Sequence, residues 1–160
     1  MPDAAAVVRR VEAAATRPLR RAVLRPHQRI EELVLPGDDD ADTGHFAALL
    51  DGRVVGTASV RAEAAPFPVP GTAGAVWRLR GMATEPALRG TGVGSRVLTA
   101  ALRHVASSGG TLLWCNARTP ARSFYERAGF VADGQPWDEP EIGPHVRMWR
   151  RVDPTARAAG

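Results

Sequence analysis

Apolar positions in the middle of the chain follow a helical period. From Val93 onward they lie at i, i+4, i+5, i+8, i+9 and i+12, the stripe of a helix that packs on a sheet: Val93, Val97, Leu98, Ala101, Leu102 and Val105. The segments 75–83 before this helix and 111–115 after it are strand candidates, and Gly109 and Gly110 separate the helix from the second one. Strand, helix and strand in this order predict a βαβ unit whose two strands are parallel neighbours.

The remaining elements are predicted from weaker patterns. Residues 7–25, rich in Ala and Arg and interrupted by Pro18, predict one or two short helices, and residues 31–35 fit either a first strand or the end of a helix. Asp51-Gly52 separates two strand-like runs, 45–50 and 53–62, and predicts a hairpin. Residues 66–74, which contain three prolines, predict a loop.

These elements predict an α/β protein with a mixed, twisted sheet of six to seven strands and helices on both faces. The βαβ unit argues for the parallel part of the sheet and the Asp51-Gly52 hairpin for the antiparallel part. A chain of 160 residues has the length of one domain. We therefore expect a single domain over residues 1–160, with flexible tails at about 1–6 and 153–160.

The charge of the chain is basic but does not indicate a nucleic-acid partner. The net charge is +4, and every basic residue other than histidine is an arginine. These arginines are scattered among Ala-rich segments and the chain has one Tyr, so no nucleic-acid partner is expected. The start Met1-Pro2-Asp3 lacks an apolar run and no stretch is long enough for a membrane span, which makes a cytoplasmic protein without a membrane partner the default expectation.

Cysteine and acidic residues give no sign of a disulfide or a metal site. Cys115 is the single cysteine, so an internal disulfide is excluded, and a small buried residue at a strand end is favoured over a nucleophile. The acidic run 36–42 lacks the alternating ligands and closing Glu of a calcium loop. It predicts a solvated turn, and no metal is expected.

A glycine-rich turn connects the first strand of the βαβ unit to its helix. Its sequence is Arg89-Gly90-Thr91-Gly92-Val93-Gly94. Glycines permit a tight turn and bring backbone N–H groups close to a ligand, and the positive end of the helix dipole favours an anion such as a pyrophosphate. Arg89 adds charged donors. From these residues alone, an ordinary glycine-rich turn that binds nothing stays open.

Two other phosphate-binding motifs fit this turn poorly. A P-loop requires a Lys and then Ser or Thr after its last glycine, whereas Gly94 is followed by Ser95 and Arg96. A dinucleotide-binding fingerprint requires a further glycine at the position of Ser95 and an acidic residue at the end of the next strand. That strand ends in Cys115-Asn116.

The turn resembles the Arg/Gln-x-x-Gly-x-Gly/Ala coenzyme-binding motif of the GNAT superfamily of N-acetyltransferases. Residues 79–86 are similar to the central strand that leads to this motif. The run 121–130, Ala-Arg-Ser-Phe-Tyr-Glu-Arg-Ala-Gly-Phe, resembles the second signature of the family, Ala-x-x-x-Tyr-Glu-x-x-Gly-Phe. The resemblance extends from about Phe46 to Trp149.

The resemblance implies an enzyme of GNAT-like acyl-CoA N-acyltransferase fold. Its activity would be transfer of an acetyl group from acetyl-CoA to a primary amine of a small-molecule or peptide acceptor. The pantetheine arm would lie in a V-shaped split between the two central strands, and a backbone N–H near Met82 would stabilise the oxyanion. Acetyl-CoA and the amine are the implied partners, and a homodimer stays open. The implied coenzyme-binding residues are Met82, Ala83, Thr84, Arg89, Gly90, Thr91, Gly92, Val93, Gly94 and Ser95.

Tyr125 matches the tyrosine with which the family protonates the leaving thiolate. Its spacing with Ala121, Phe124 and Ala128 is also that of an apolar helix seam, so the residues alone favour a core aromatic. The resemblance favours Tyr125 as the catalytic acid.

The general base is not evident from the sequence. Many relatives carry a Glu on the central strand, but alternation here places only Val76, Arg78, Arg80 and Met82 on one face. The nearest candidates are in a predicted loop at 137–145: Glu139, Glu141 and His145.

Arg78 and Arg80 are predicted to point into the acceptor cleft, where they would favour an amine that also carries a carboxylate. A solvated or salt-bridged strand face is the alternative.

Two other classes of function stay open beside the enzyme. One is an acetyl-CoA-binding sensor or inactive relative, and the other is an interaction module that retains only the fold. The presence of Arg89, Gly92, Gly94 and Tyr125 argues against both.

Overall fold

The computed structural model describes residues 5–69 and 74–153. Within these ranges one sheet has the strand order β1-β2-β3-β4-β5-β7-β6. The strands are β1 (Val7–Val11), β2 (Gly44–Leu50), β3 (Arg53–Ala62), β4 (Ala75–Thr84), β5 (Gly110–Arg118), β6 (Val131–Glu139) and β7 (Gly143–Arg151), and the α-helices are α1 (Ala13–Leu24), α2 (Val93–Ser107) and α3 (Arg122–Arg127). Short 3₁₀ helices cover Ile30–Leu33, Pro86–Leu88 and Thr119–Ala121.

The sheet is mixed, as predicted. Among the described strands, β4 and β5 form the parallel pair and α2 connects them, which confirms the βαβ unit. The other neighbouring strands pair antiparallel. At the β2–β3 turn, Asp51 and Gly52 have φ angles of 52° and 78°, as a two-residue hairpin turn requires.

Helices cover both faces of the sheet. The apolar stripe of α2 packs on one face, where Val97, Leu98 and Val105 join Trp77 and Leu79 of β4 in the main core. On the other face α1 packs against β3 and β4, and its buried residues are Ala13, Thr16 and Arg20. A smaller cluster of Phe67, Leu112 and Trp114 is separate from the main core. Helix α2 therefore contributes apolar contacts on one face of the sheet, and α1 buries an arginine on the other. The cleft described below lies between these two faces.

Two sequence-based element assignments were wrong, and one of two alternatives was excluded for a third segment. Residues 7–25 begin with strand β1, which pairs with β2 from Val7↔Leu49 to Val11↔His45, and only then continue as α1. Residues 31–35 contain part of a 3₁₀ helix instead of a strand. The predicted loop 137–145 is the β6–β7 hairpin, with a tight turn at residues 140–142. In β1 pairing with a distant strand overrides local composition, and in the hairpin pairing across the turn does so.

Some predictions fall on parts of the chain that the structure leaves undescribed. Most of the predicted tails, namely residues 1–4 and 154–160, lie outside the described residues, as do positions 70–73 of the predicted loop. Ala6, the last residue of the predicted N-terminal tail, is buried, and so is Val152, which precedes the C-terminal one. In the described ranges, none of the helices combines the length and apolar character that crossing a bilayer would require.

Candidate active site

The two central strands separate at their carboxyl ends. Paired residues of β4 and β5 extend from Ala75↔Gly110 to Arg78↔Trp114, although β4 continues to Thr84 and β5 to Arg118. The split implied by the family resemblance is therefore present. A cleft of about 1100 Å³ opens there and is lined by both strands, α1, α3 and the turn before α2.

A β-bulge marks the place where β4 enters the cleft. The pairs Ser59↔Arg80 and Thr57↔Ala83 leave Gly81 and Met82 opposite one residue of β3, and Gly81 has a φ of 62°. The extra residue reverses the side-chain alternation. Met82 therefore packs against the main core, on the face opposite Arg78, and the predicted single face 76-78-80-82 was wrong.

The bulge also sets the direction of the β4 backbone. The N–H of Glu85 donates to the carbonyl oxygen of Val55 on β3 at 2.9 Å. Peptide groups alternate in direction along a strand, so the N–H of Met82 is directed away from β3 and toward the gap. Thr57 Oγ1 holds the bulge by donating to the Gly81 carbonyl oxygen at 2.8 Å. The cleft thus has a backbone donor at its centre.

The glycine turn forms the mouth of the cleft. Gly90 and Gly92 have φ angles of 82° and 91°, and a Cβ on either would meet no atom within 4 Å. Arg96 makes the first helical bond, 3.1 Å to the Gly92 carbonyl oxygen, so the N–H groups at the start of α2 have no acceptor within the helix. Open space and free donors occur together, as an anion site requires.

The predicted coenzyme-binding residues divide into two groups. Eight line the cleft: Met82, Ala83, Thr84, Arg89, Gly90, Gly92, Gly94 and Ser95. The side chains of the other two turn elsewhere, because Thr91 Oγ1 donates to the Leu88 carbonyl oxygen at 2.5 Å and Val93 is buried in the core.

Tyr125 lies on α3 and is both packed and part of the cleft lining. It is 5% exposed, with its ring centroid 5.2 Å from that of Phe124 and 5.3 Å from that of Phe130. Burial raises the pKa of Tyr125 well above its ordinary value, and the neighbouring Cys115 raises it further. The phenol therefore keeps its proton and is chemically a donor. Tyr125 can therefore be both a core aromatic and a proton donor, so these two interpretations of the sequence are compatible.

Cys115 also lines the cleft, inside β5 instead of at its end. It is buried, and burial raises the pKa of its thiol against the opposing effect of Arg78. A thiol held in its neutral form is a poor nucleophile, in agreement with the sequence-based interpretation.

Of the candidate bases, the structure brings Glu139 and His145 to the cleft and leaves Glu141 exposed at the β6–β7 turn. His145 is 6% exposed, and its ring stacks on Trp137 at 5.7 Å. Its Nδ1 lies 2.9 Å from the Gly143 carbonyl oxygen. A carbonyl only accepts, so we assign the proton to Nδ1, which leaves Nε2 of the neutral ring able to accept one.

The arginines of β4 point to the α1 face. Arg78 donates to Glu63 at 2.9 Å and lies over the Trp114 ring at 4.7 Å, while Arg80 donates to the Pro36 carbonyl oxygen at 3.2 Å. Both line the cleft. Sequence reasoning missed Arg20 and Arg118, which line it as well. The spacing of Ala13, Thr16 and Arg20, which places them on one face of α1, was the available signal for Arg20.

The acidic segment 36–42 is held in place by hydrogen bonds. Asp38 Oδ2 accepts from Arg17 at 3.2 Å and from the Leu35 N–H at 2.9 Å, and its carbonyl oxygen lies 2.9 Å from His45 Nε2. Across residues 5–69 and 74–153, no three His, Cys, Asp or Glu side chains are grouped as metal ligands.

Comparison with known proteins agrees with this geometry. The model of the Acetyltransferase (GNAT) family matches residues 10–130. The chain is 34% identical over 134 residues to the uncharacterized N-acetyltransferase YitI of Bacillus subtilis, covering 84% of this chain and 88% of that protein.

Solved structures share the fold at lower identity. Ard1 from Thermoplasma volcanium superposes with a TM-score of 0.72 at 18% identity, covering 93% of this chain and 99% of that one. A GNAT superfamily phosphinothricin acetyltransferase from Sinorhizobium meliloti, in complex with AcCoA, has a TM-score of 0.70 at 16% identity, covering 94% of this chain and 90% of that one.

Proposed function

Because the chain belongs to the GNAT acetyltransferase family, we propose that it transfers an acetyl group from acetyl-CoA to the primary amine of an acceptor. The observation that carries this proposal is the convergence of three features on one cleft. These are the open glycine turn, the gap between β4 and β5, and the buried, protonated Tyr125.

The glycine turn binds the pyrophosphate of acetyl-CoA. The N–H groups of Gly92, Val93 and Gly94 donate to it, and the dipole of α2 favours its charge. Arg89, which is exposed at the mouth of the cleft, adds a charge-assisted contact. The pantetheine arm then extends into the gap, where the separated edges of β4 and β5 offer backbone hydrogen bonds.

The residues around the gap have complementary roles in the reaction. The amine nitrogen attacks the thioester carbonyl carbon, and the Met82 N–H stabilises the resulting oxyanion. When the C–S bond breaks, the electron pair goes to sulfur and Tyr125 supplies a proton to it. The acceptor, which starts as an ammonium, loses two protons. Nε2 of His145 takes the first and later releases it to solvent, and the second, lost after attack, restores the proton that Tyr125 gave to sulfur. The products are therefore the amide, the thiol and one released proton.

His145 is chosen as base over Glu139 because of its hydrogen bonds. The Nδ1 contact to the Gly143 carbonyl oxygen fixes the tautomer, and stacking on Trp137 fixes the ring plane. Glu139 instead accepts a 2.9 Å bond from Trp137 Nε1, which occupies one of its carboxylate oxygens.

We expect His145→Gln to lower kcat/KM by about 10²-fold at pH 7. A primary ammonium has a pKa of about 10.4, so without a base the variant uses only the small free-amine fraction, which rises about tenfold per pH unit. The deficit should therefore shrink as pH rises toward that value. Initial rates of thiol release from pH 6.5 to 9.5 measure this.

Glu141→Gln is the matched control, since Glu141 belongs to the same hairpin but is exposed at its turn. It should follow the wild-type profile. A constant deficit of His145→Gln at every pH would mean that the ring has a structural role only.

The function itself is tested with a panel of primary amines. We expect thiol release from acetyl-CoA that depends on the amine, together with an acetylated product seen by mass spectrometry. Calorimetric binding of acetyl-CoA without transfer to any amine would indicate the sensor, and no binding would indicate the interaction module.

A further inference from the structure

Helix α1 contributes a buried arginine, Arg20, to the lining of the cleft. Arg20 is 5% exposed and lines the cleft beside the β4 bulge, so close that a Cβ on Gly81 would be 2.7 Å from its Nε. Its Nε has no hydrogen-bond partner, and its one bond to a side chain, to Thr16 Oγ1, is long at 3.5 Å. Burial of a guanidinium whose N–H has no acceptor lowers the stability of the fold, unless an anion or another acceptor binds that N–H.

Three further arginines that line the same cleft donate to main-chain oxygens instead of carboxylates. Arg25, Arg80 and Arg118 each donate to a backbone carbonyl oxygen, of Leu24, Pro36 and Leu24 respectively. In the described part of the chain, none of the four is within ion-pairing distance of an acid. We call Arg20, Arg25, Arg80 and Arg118 the arginine cluster.

The acids near the arginine cluster are already engaged. Asp38 accepts from Arg17 and from the Leu35 N–H. The acidic residues of the cleft lining are Glu32, which pairs with Arg29, and Glu139, which accepts from Trp137. Arg78, by contrast, forms an ion pair with Glu63 at 2.9 Å and is therefore not counted in the cluster.

The pKa values of the arginine cluster also favour an anion in the cleft. Burial lowers the pKa of each of the four arginines, and neighbouring arginines lower it further for Arg20, Arg80 and Arg118. Nearby acids oppose these shifts in part: Asp38 for Arg20, Glu139 for Arg25, and Glu63 and Asp38 for Arg80. Arginine nevertheless remains charged in proteins. An anion that entered the cleft would offset both the desolvation and the mutual repulsion.

We propose that the amine acceptor carries an oxyanion, either a carboxylate or a phosphate, and that Arg20 binds it together with Arg80 and Arg118. This inference rests on the proposed acetyltransferase function and names its acceptor class. Guanidinium groups match both oxyanions through paired N–H donors. The position of Arg20 against the bulge places the anion next to Met82, and so holds the amine near the thioester.

The position of the cluster distinguishes it from the coenzyme site. The glycine turn begins α2, which packs on the sheet face of Trp77 and Leu79. Arg20 comes from α1, on the opposite face, and Arg80 of β4 contacts the segment that follows α1 through Pro36. Acetyl-CoA bound at the glycine turn would leave the cluster to the second substrate.

The test compares acceptors that differ only in the anion. Suitable pairs are phenylalanine with phenethylamine, tyrosine with tyramine, and phosphoethanolamine with ethanolamine, assayed by thiol release from acetyl-CoA. We expect the anionic member of at least one pair to have a kcat/KM at least tenfold higher. The carboxylate and phosphate pairs show which oxyanion is bound.

Arg20→Gln should remove this preference, mostly by raising KM about 10–100-fold, with acetyl-CoA affinity unchanged. Arg21→Gln is the matched control: Arg21 is the next residue of α1, is exposed and donates to the Gln28 carbonyl oxygen, so the preference should persist. Arg80→Gln is a second variant in case Arg20→Gln fails to fold, and it should weaken the preference in the same direction.

The outcomes separate this inference from the function on which it rests. Equal or higher activity with the amines that lack the anion, or an unchanged preference in the arginine variants, would overturn the acceptor class and leave the acetyltransferase intact. Absence of acetyl transfer to every amine would instead overturn the proposed function.

Discussion

Tyr125→Phe is expected to lower kcat by about 10²–10⁴-fold, the usual cost of losing a general acid. The change removes the hydroxyl and keeps the ring, so contacts with Phe124 and Phe130 persist. Affinity for acetyl-CoA and Tm should therefore change little. Steady-state kinetics, calorimetry and a thermal melt measure the three quantities separately.

The pH dependence of the wild type gives a second check on Tyr125. Burial raises the pKa of Tyr125 above its ordinary value of 10.0, and the active form is the protonated one, which predominates below that raised pKa. No fall in kcat from phenol ionisation is expected up to pH 10. Cys115→Ala is the control for kcat near neutral pH, since Cys115 lines the same cleft without a proposed role in the reaction. Because the thiol also raises the pKa of Tyr125, the pH profile is compared between the wild type and Tyr125→Phe. Normal turnover of Tyr125→Phe would mean that the thiolate leaves unaided.

Gly92→Val is expected to abolish measurable acetyl-CoA binding while the protein stays folded. A valine cannot adopt a φ of 91° without strain, so the turn must change and its N–H groups lose their alignment with the pyrophosphate. Each hydrogen bond to a charged group contributes about 1.5–3 kcal/mol. Loss of two corresponds to a Kd at least about 10²-fold higher, which calorimetry measures.

Gly109→Val is the control for backbone strain. Gly109 lies at the other end of α2 with a φ of 85°, and, as at Gly92, a Cβ would meet no atom within 4 Å. The two variants should lose similar stability, and only Gly92→Val should lose the coenzyme. Equal acetyl-CoA affinity in both folded variants would contradict the assignment of the turn.

Sequence patterns correctly predicted the elements that depend on residues close together in the chain. The helical stripe from Val93, the Asp51-Gly52 turn and the glycine turn each depend on residues close together in the chain, so the βαβ unit, the hairpin and the mouth of the cleft were predictable. The split between β4 and β5 came from the family resemblance. Strand β1 was not predicted, because its partner β2 lies far along the sequence. The β6–β7 hairpin was missed although its strands are neighbours in sequence, because the segment 137–145 contains prolines and charged residues that are typical of a loop.

The sequence by itself determined the family, the mixed α/β fold and the positions of the glycine turn and Tyr125, since each depends on residue type and short spacing. Only the tertiary structure decided which face each side chain occupies. The bulge at Gly81 and Met82 breaks the alternation on which such predictions depend. Burial of Arg20 likewise arises from packing α1 on β4. Desolvation and the charge of neighbouring arginines are properties of that packing, and no spacing along the chain encodes them.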